Sequence, residues 1–171
     1  MGEPKVRVAS FSVDLRRFLV VFAVALWQGG FLFYASVVVP IGTEVLGSTA
    51  AQGAITRRVT GGLNVVGVVT LAILAREILA TSPRSDRVTS RWAIWSILLL
   101  CQYLLFFLHQ VLEYLLAPGP EAPGFARLFY RVHGIYLWIQ SALWLGTWLL
   151  IWLTFKTWRQ EDPWRTKALG K

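Results

Sequence analysis

Two histidines and one glutamate are the residues of this chain whose types and spacing could support chemistry. His109 and Glu113 lie four residues apart and share one face of a helix, while His133 belongs to the next apolar stretch. Two imidazoles and a carboxylate that leave coordination positions open suit zinc or non-haem iron. His109, Glu113 and His133 are therefore a candidate site for a divalent metal.

The same two histidines also permit a haem. If their helices run in opposite directions, His109 and His133 lie at matching depth, near the outer end of both. Histidine side chains are common axial ligands of haem iron. The sequence therefore makes His109 and His133 candidate ligands of haem b as well.

Amide side chains accompany the histidines at helical spacing. Gln102 precedes His109 by seven residues and Gln140 follows His133 by seven, so each glutamine lies two turns deeper on the same face. Such groups either hydrogen-bond between helices, at about 0.6–2 kcal/mol each, or line a path for protons or a small solute. The predicted polar cluster comprises Gln28, Asn64, Gln102 and Gln140.

The sequence carries no further catalytic pattern. Neither G-x-S-x-G nor H-E-x-x-H occurs in it. The single cysteine, Cys101, lies inside an apolar run and is expected to be a buried thiol. We therefore expect a non-enzymatic protein, with metal binding, haem binding and a solute or proton path as the alternatives.

The elements that position these residues follow from the composition. Of 171 residues, 56% are apolar and only 15% are charged, whereas a soluble domain carries about a quarter charged residues. This excludes a disordered chain and a coiled coil, and it leaves too little polar surface for a soluble domain. The net charge of +8 does not indicate nucleic-acid binding, because the basic residues flank apolar runs.

Four uncharged apolar runs are long enough to cross a bilayer, which takes about 20 helical residues. They cover residues 18–43, 59–75, 92–112 and 132–155. Because lipid cannot satisfy bare backbone groups, an all-α fold is predicted, with four transmembrane helices in an up-down bundle. Pro40 and Gly42 are expected to end the first helix. The predicted organisation is a cytoplasmic segment 1–16, a transmembrane domain 17–156 with helices at about 17–41, 57–81, 91–116 and 128–156, and a cytoplasmic tail 157–171.

Both termini are predicted to lie inside the cell. Of the seventeen Lys and Arg, all but four fall in segments that this arrangement places in the cytoplasm. The positive-inside rule therefore predicts a multi-pass protein of the inner membrane, N-in and C-in. The four outer residues are Arg57, Arg58, Arg127 and Arg131.

Small and large residues divide between the spans. Glycines in the first two spans, among them Gly29, Gly62 and Gly67, predict that these two helices pack closely together. The third and fourth spans carry large aromatic residues, including Trp138 and Trp148. Their aromatic faces could contact partner helices.

The first span has a distinctive order of residues. It reads Trp27-Gln28-Gly29-Gly30, then Phe31-Leu32-Phe33-Tyr34, then Val37-Val38-Val39-Pro40. This progression resembles the transmembrane-205-like group of small four-helix membrane proteins and, more distantly, the copper-resistance D family. The resemblance implies a four-helix membrane fold and no defined activity.

Together, these patterns predict a small accessory subunit or structural component of the inner membrane. Its expected surroundings are the lipid bilayer and a partner membrane protein or further copies of itself. No nucleic-acid partner is predicted.

Overall fold

The computed structural model describes the backbone of residues 4–80, 88–116 and 123–162. The elements are α1 (Pro4–Phe33), a π-helical turn (Tyr34–Val38), α2 (Val39–Leu46), α3 (Thr49–Ala80), α4 (Val88–Leu116) and α5 (Pro123–Glu161). Because α1, the π-helical turn and α2 follow one another without a break, they form one long first helix. The described residues thus contain four helices that are long and apolar enough to cross a membrane. The predicted all-α fold with four transmembrane helices is confirmed.

The four long helices pack in chain order. α1 lies on α3, α3 on α4 and α4 on α5, as in an up-down bundle. The first half of α1, at Arg16 and Arg17, and the end of α5 meet at one end of the bundle, which we call the terminal end. There Arg16 contacts Glu77 of α3, and Arg17 contacts Asp162. We call the opposite end the far end.

The helices extend beyond the apolar runs that predicted them. α3 begins at Thr49 rather than near 57, and α5 continues to Glu161 rather than ending near 156. Hydropathy marks only the part of a helix that lies in lipid. The signal for the early start of α3 is local: Gly47 ends α2 with a left-handed φ of 58°, and the Ser48 hydroxyl accepts the N–H of Ala51 over 3.3 Å.

The first helix does not end at Pro40 and Gly42 as predicted. Proline lacks the N–H that would bond to the carbonyl four residues earlier. The π-helical turn ends at Val38, two residues before Pro40. At its end, the N–H of Val39 bonds to the carbonyl of Tyr34, five residues back. The helix then continues to Leu46.

Close helix packing occurs at fewer glycines than predicted. A Cβ on Gly67 would lie 2.8 Å from the Trp27 ring and 2.6 Å from Oε1 of Gln102, whereas Gly29 and Gly62 have nothing within 4 Å. Gly67 is therefore the point at which α3 approaches both α1 and α4. The same tight approach occurs at Gly146 of α5, against the side chain of Leu98.

The core between the helices is mainly aliphatic. Threonine hydroxyls inside it donate to the carbonyl four residues earlier, as Thr147 and Thr154 do at 2.8 and 2.9 Å. These bonds satisfy the hydroxyls without water, so α5 can carry polar residues through the core. The buried apolar residues include Val20, Val24, Trp27, Leu71, Leu74, Ile78, Leu98, Leu105, Leu143, Leu150 and Trp158.

Candidate functional site

At the far end of the bundle, α4 carries His109 and Glu113 side by side. Nε2 of His109 lies 3.5 Å from Oε1 of Glu113, and Nε of Arg57 on α3 lies 3.9 Å from the same oxygen. The imidazole is enclosed, at 13% exposed, whereas the Glu113 side chain is 41% exposed. The predicted pair on one helix face is thus formed, and its carboxylate opens to the surface.

His133 does not join this pair in a metal-binding group. Its ring stacks on Phe129 of the same helix, with centroids 5.8 Å apart and planes inclined by 7°. Among the side chains that the structure describes, no three of His, Cys, Asp and Glu are arranged to hold a metal ion. His109, Glu113 and His133 therefore do not form a three-residue group in this arrangement, and metal binding by them stays a prediction. Ligation of haem b by the two histidines stays a prediction.

The predicted amides lie in the middle of the bundle. Gln102 donates its Nε2–H to Oδ1 of Asn64 over 3.3 Å, and Asn64 donates its Nδ2–H to Oη of Tyr136 over 3.3 Å. Gln28 on α1 and Gln140 on α5 are buried as well. We call these five residues the polar layer: Gln28, Asn64, Gln102, Tyr136 and Gln140.

The polar layer contains one residue that the predicted cluster lacks, Tyr136. Gln102 bonds to Asn64 of α3 rather than to Gln140 of α5. Tyr136 was not predicted, because a phenol in an apolar run resembles a packing aromatic. Its position three residues after His133 and four before Gln140 places it on the polar face of α5, which is a usable signal.

The terminal end holds an ionic cluster that the sequence placed at the membrane surface. Glu77 is fully buried; its carboxylate lies 3.0 Å from Nε of Arg16 and accepts the indole N–H of Trp158 over 2.7 Å. Arg91 on α4 is fully buried too, and the charges of Glu77 and Glu161 act on its guanidinium. Two opposite charges thus lie in the protein interior, on neighbouring helices.

Arg17 extends this cluster toward the end of α5. Its Nη1 lies 2.8 Å from Oδ1 of Asp162 and its Nη2 lies 4.0 Å from Glu161, while its guanidinium stacks over the Trp158 ring at 5.3 Å. The cluster contains three arginines and three acids, so its formal charges cancel. We call the following residues the ionic cluster: Arg16, Arg17, Glu77, Arg91, Glu161 and Asp162.

The sequence alone identifies Arg16, Arg17 and Arg91 only as markers of the cytoplasmic side. They do lie at the ends of the predicted spans, but their side chains point into the bundle or along it. The signal that could have found the cluster is Glu77, a carboxylate inside the predicted helix 57–81. An ionisable residue within a span needs a partner of opposite charge, and the nearby arginines supply it.

A second contact at the far end fixes the irregular part of the first helix. Oη of Tyr34, in the π-helical turn, donates to Oγ1 of Thr56 over 2.9 Å and accepts Nε2–H of Gln52 over 3.4 Å. The amide of Gln52 also lies where a Cβ on Gly42 would be. The π-helical turn and α2 are thereby held against α3.

These contacts are chemically suited to fixing helices in register and to holding buried charges and hydrogen-bonding groups. The far-end pair has one imidazole and one carboxylate, the polar layer has uncharged groups, and the ionic cluster has matched charges.

Comparison of the chain with models of protein families, with curated proteins and with solved structures gives no match.

Proposed function

We propose that this integral membrane protein is a non-enzymatic accessory subunit that binds a helix of a partner membrane protein along one face of α5. The face is formed by Trp138, Leu145, Trp148 and Trp152, and we call it the tryptophan face. The proposal includes an inner-membrane location with both termini in the cytoplasm, which the charge distribution supports.

The observation that carries the proposal is the exposure of indole groups at hydrocarbon depth. Trp138 is 80% exposed, and Trp148 is exposed as well. Trp138 lies six residues inside Val132 and Trp148 seven residues before Phe155, so each lies about 10 Å from the nearer end of the uncharged run. Tryptophans that serve as interface anchors lie at the headgroup level instead.

The indole N–H groups of the tryptophan face need hydrogen-bond acceptors. Among the described residues, the Nε1 of Trp138 and that of Trp148 donate no hydrogen bond, whereas Trp95 and Trp158 both donate one. Lipid chains offer no acceptor at this depth. A neighbouring helix with side-chain or carbonyl oxygens supplies one, which is the usual role of polar groups between membrane helices.

A different protein fits the tryptophan face better than a second copy of this chain. Along the described part of the face, the exposed side-chain acceptor is the hydroxyl of Ser141, which itself donates to the carbonyl of Leu137 over 2.9 Å. Two copies packed through this face would therefore set several donors against few acceptors. A partner helix with small residues and hydroxyl or amide oxygens complements it.

An accessory role, rather than catalysis, is supported by how the interior polar groups are used. Glu77 is bound by Arg16 and Trp158, and Asn64 is bound by Gln102 and Tyr136. These contacts join different helices and thus stabilise the bundle. The tryptophan face lies outside these contacts, so it can meet a partner helix without breaking them.

Site-specific photocrosslinking in intact cells tests the proposal. A photoreactive phenylalanine analogue at Trp138 is expected to give one discrete adduct with a different membrane protein, identified by mass spectrometry. The same probe at Phe22, which is exposed within the apolar run of α1, is expected to give none. In the Trp138 probe strain, Trp148→Phe should reduce the adduct about threefold or more, because it removes an indole donor and keeps an aromatic ring.

Two outcomes would contradict the proposal. An adduct of twice the mass of the chain would assign the tryptophan face to self-association. Equal labelling of lipid alone at Trp138 and Phe22 would assign the face to the bilayer.

A further inference from the structure

The polar layer takes a buried side chain from each of the four long helices. Gln28 comes from α1, Asn64 from α3, Gln102 from α4, and Tyr136 with Gln140 from α5. Each is 6% exposed or less. A set of uncharged polar groups is therefore enclosed at one depth of an otherwise apolar bundle.

The contacts of α3 place Gln28 and Gln102 at the same depth. Gly67 lacks a side chain, and both the Trp27 ring and Oε1 of Gln102 reach the position that its Cβ would occupy. Thr70, one turn away, donates to the carbonyl of Ala23 over 3.4 Å and thereby fixes α1 against α3. Gln28 directly follows Trp27 in this register.

Both glutamines present a carbonyl oxygen that accepts no hydrogen bond. Oε1 of Gln28 and Oε1 of Gln102 are buried and have no donor among the described residues. Nε2 of Gln102 is the atom that donates to Asn64, so Oε1 is the end of this amide that is left without a partner. Buried acceptors without donors are unfavourable, and native proteins rarely leave them so.

We propose that Gln28 and Gln102 bind one small uncharged hydrogen-bond donor, such as water or ammonia, between their carbonyl oxygens. Two free acceptors call for a molecule with at least two donor hydrogens. The polar layer holds no carboxylate, so a cation at this depth would lack a counter-charge. The molecule must also be small, since the helices are in contact at Gly67.

Such a ligand would complete a directional chain of hydrogen bonds. It donates to Oε1 of Gln102, whose Nε2–H donates to Asn64, whose Nδ2–H donates to Oη of Tyr136. Bonds that point the same way along a chain polarise and strengthen one another. The bound donor thus adds α1, through Gln28, to a chain that joins α4, α3 and α5.

A double-mutant cycle on the purified protein in mixed micelles tests this site. With a bridging donor, Gln28→Met lowers the folding equilibrium constant, and its combination with Gln102→Met is non-additive by about threefold or more. Without a ligand, Gln28→Met removes an unsatisfied oxygen and raises the folding constant, which would overturn the proposal. The control is Gln52→Met, a buried glutamine bonded to Tyr34 and Thr56, whose effect should add to that of Gln28→Met.

A measurement on the wild-type protein keeps the proposal testable if a variant fails to fold. Solid-state NMR of protein labelled with ¹⁵N in its glutamine side chains should detect magnetisation transfer from water to the Gln102 amide if water is the ligand. If ammonia is the ligand, ammonium chloride at mildly alkaline pH should raise the folding constant several-fold over sodium chloride of equal ionic strength. The absence of both effects would overturn the proposal.

Discussion

Trp158 and Glu77, 81 residues apart in the chain, are joined by a 2.7 Å hydrogen bond from the indole N–H to Oε1 of the carboxylate. Both side chains are buried, and Arg16 binds the second oxygen of the same carboxylate. One acid therefore holds α1, α3 and α5 together at the terminal end. Its charge also acts on Arg91 of α4.

Removing the charge of Glu77 should strongly destabilise the bundle. Glu77→Gln keeps a side chain of the same shape but leaves buried Arg91 with less compensating charge, which costs about 3–5 kcal/mol when one partner of a buried pair is lost. Unfolding by SDS titration in mixed micelles measures the change. Glu113→Gln, at an exposed ion pair, should cost under about 1 kcal/mol. Equal effects of the two substitutions would show that Glu77 is not the centre of the ionic cluster.

The indole donor of Trp158 should contribute separately from the aromatic ring. Trp158→Phe leaves the Glu77 oxygen without this donor, and we expect a loss of about 1–3 kcal/mol in the free energy of unfolding. Trp152→Phe, on the exposed side of the same helix, should have little effect. In the Glu77→Gln background the cost of Trp158→Phe should shrink; an unchanged cost would assign it to lost packing rather than to the hydrogen bond.

Adding one methyl group at Gly67 should disturb the polar layer. The new Cβ of Gly67→Ala would lie 2.6 Å from Oε1 of Gln102 and 2.8 Å from the Trp27 ring. Overpacking of this kind costs about 1–3 kcal/mol. Gly62→Ala, on the same helix and with nothing within 4 Å, should be neutral or stabilising, since alanine favours the helix. Thermal unfolding of both variants checks the difference, and a tolerated Gly67→Ala would contradict the close approach.

The orientation of the chain can be measured with reporter fusions. A periplasm-active phosphatase fused after Lys171 should be inactive, and the same enzyme fused after Gly119, in the connection between the third and fourth spans, should be active. This follows from the excess of Lys and Arg on the side of the termini. The reverse pattern of activity would invert the proposed orientation.

Hydropathy was sufficient to predict the class of fold, because crossing lipid imposes a length and an apolar composition that few other structures share. It was less informative about helix ends. The start of α3 depends on a Gly47 cap and a Ser48 hydroxyl, and the passage through Pro40 depends on a π-helical turn. Both features are set by local backbone bonding, to which average hydropathy is insensitive.

The candidate site was predicted in part, for a similar reason. Helical spacing placed His109 beside Glu113, and it placed Gln102 on the face that meets Asn64. Spacing within one helix cannot give the rotation of the next helix, and that rotation decides whether His133 of α5 meets His109 and Glu113 of α4. His133 instead stacks on Phe129, four residues before it on the same helix. The ionic cluster was missed because the same arginines explain topology equally well.

The ionic cluster gives its arginines two successive roles. Under the proposed orientation, Arg16, Arg17 and Arg91 are solvated cations while the chain is being inserted, and they favour a cytoplasmic position for the termini, to which acids contribute little. Once the helices have packed, Glu77, Glu161 and Asp162 neutralise them. After folding, these arginines therefore no longer act as free positive charges at the membrane surface. A folded chain in the opposite orientation could correct itself only by moving all six side chains of the ionic cluster across the bilayer.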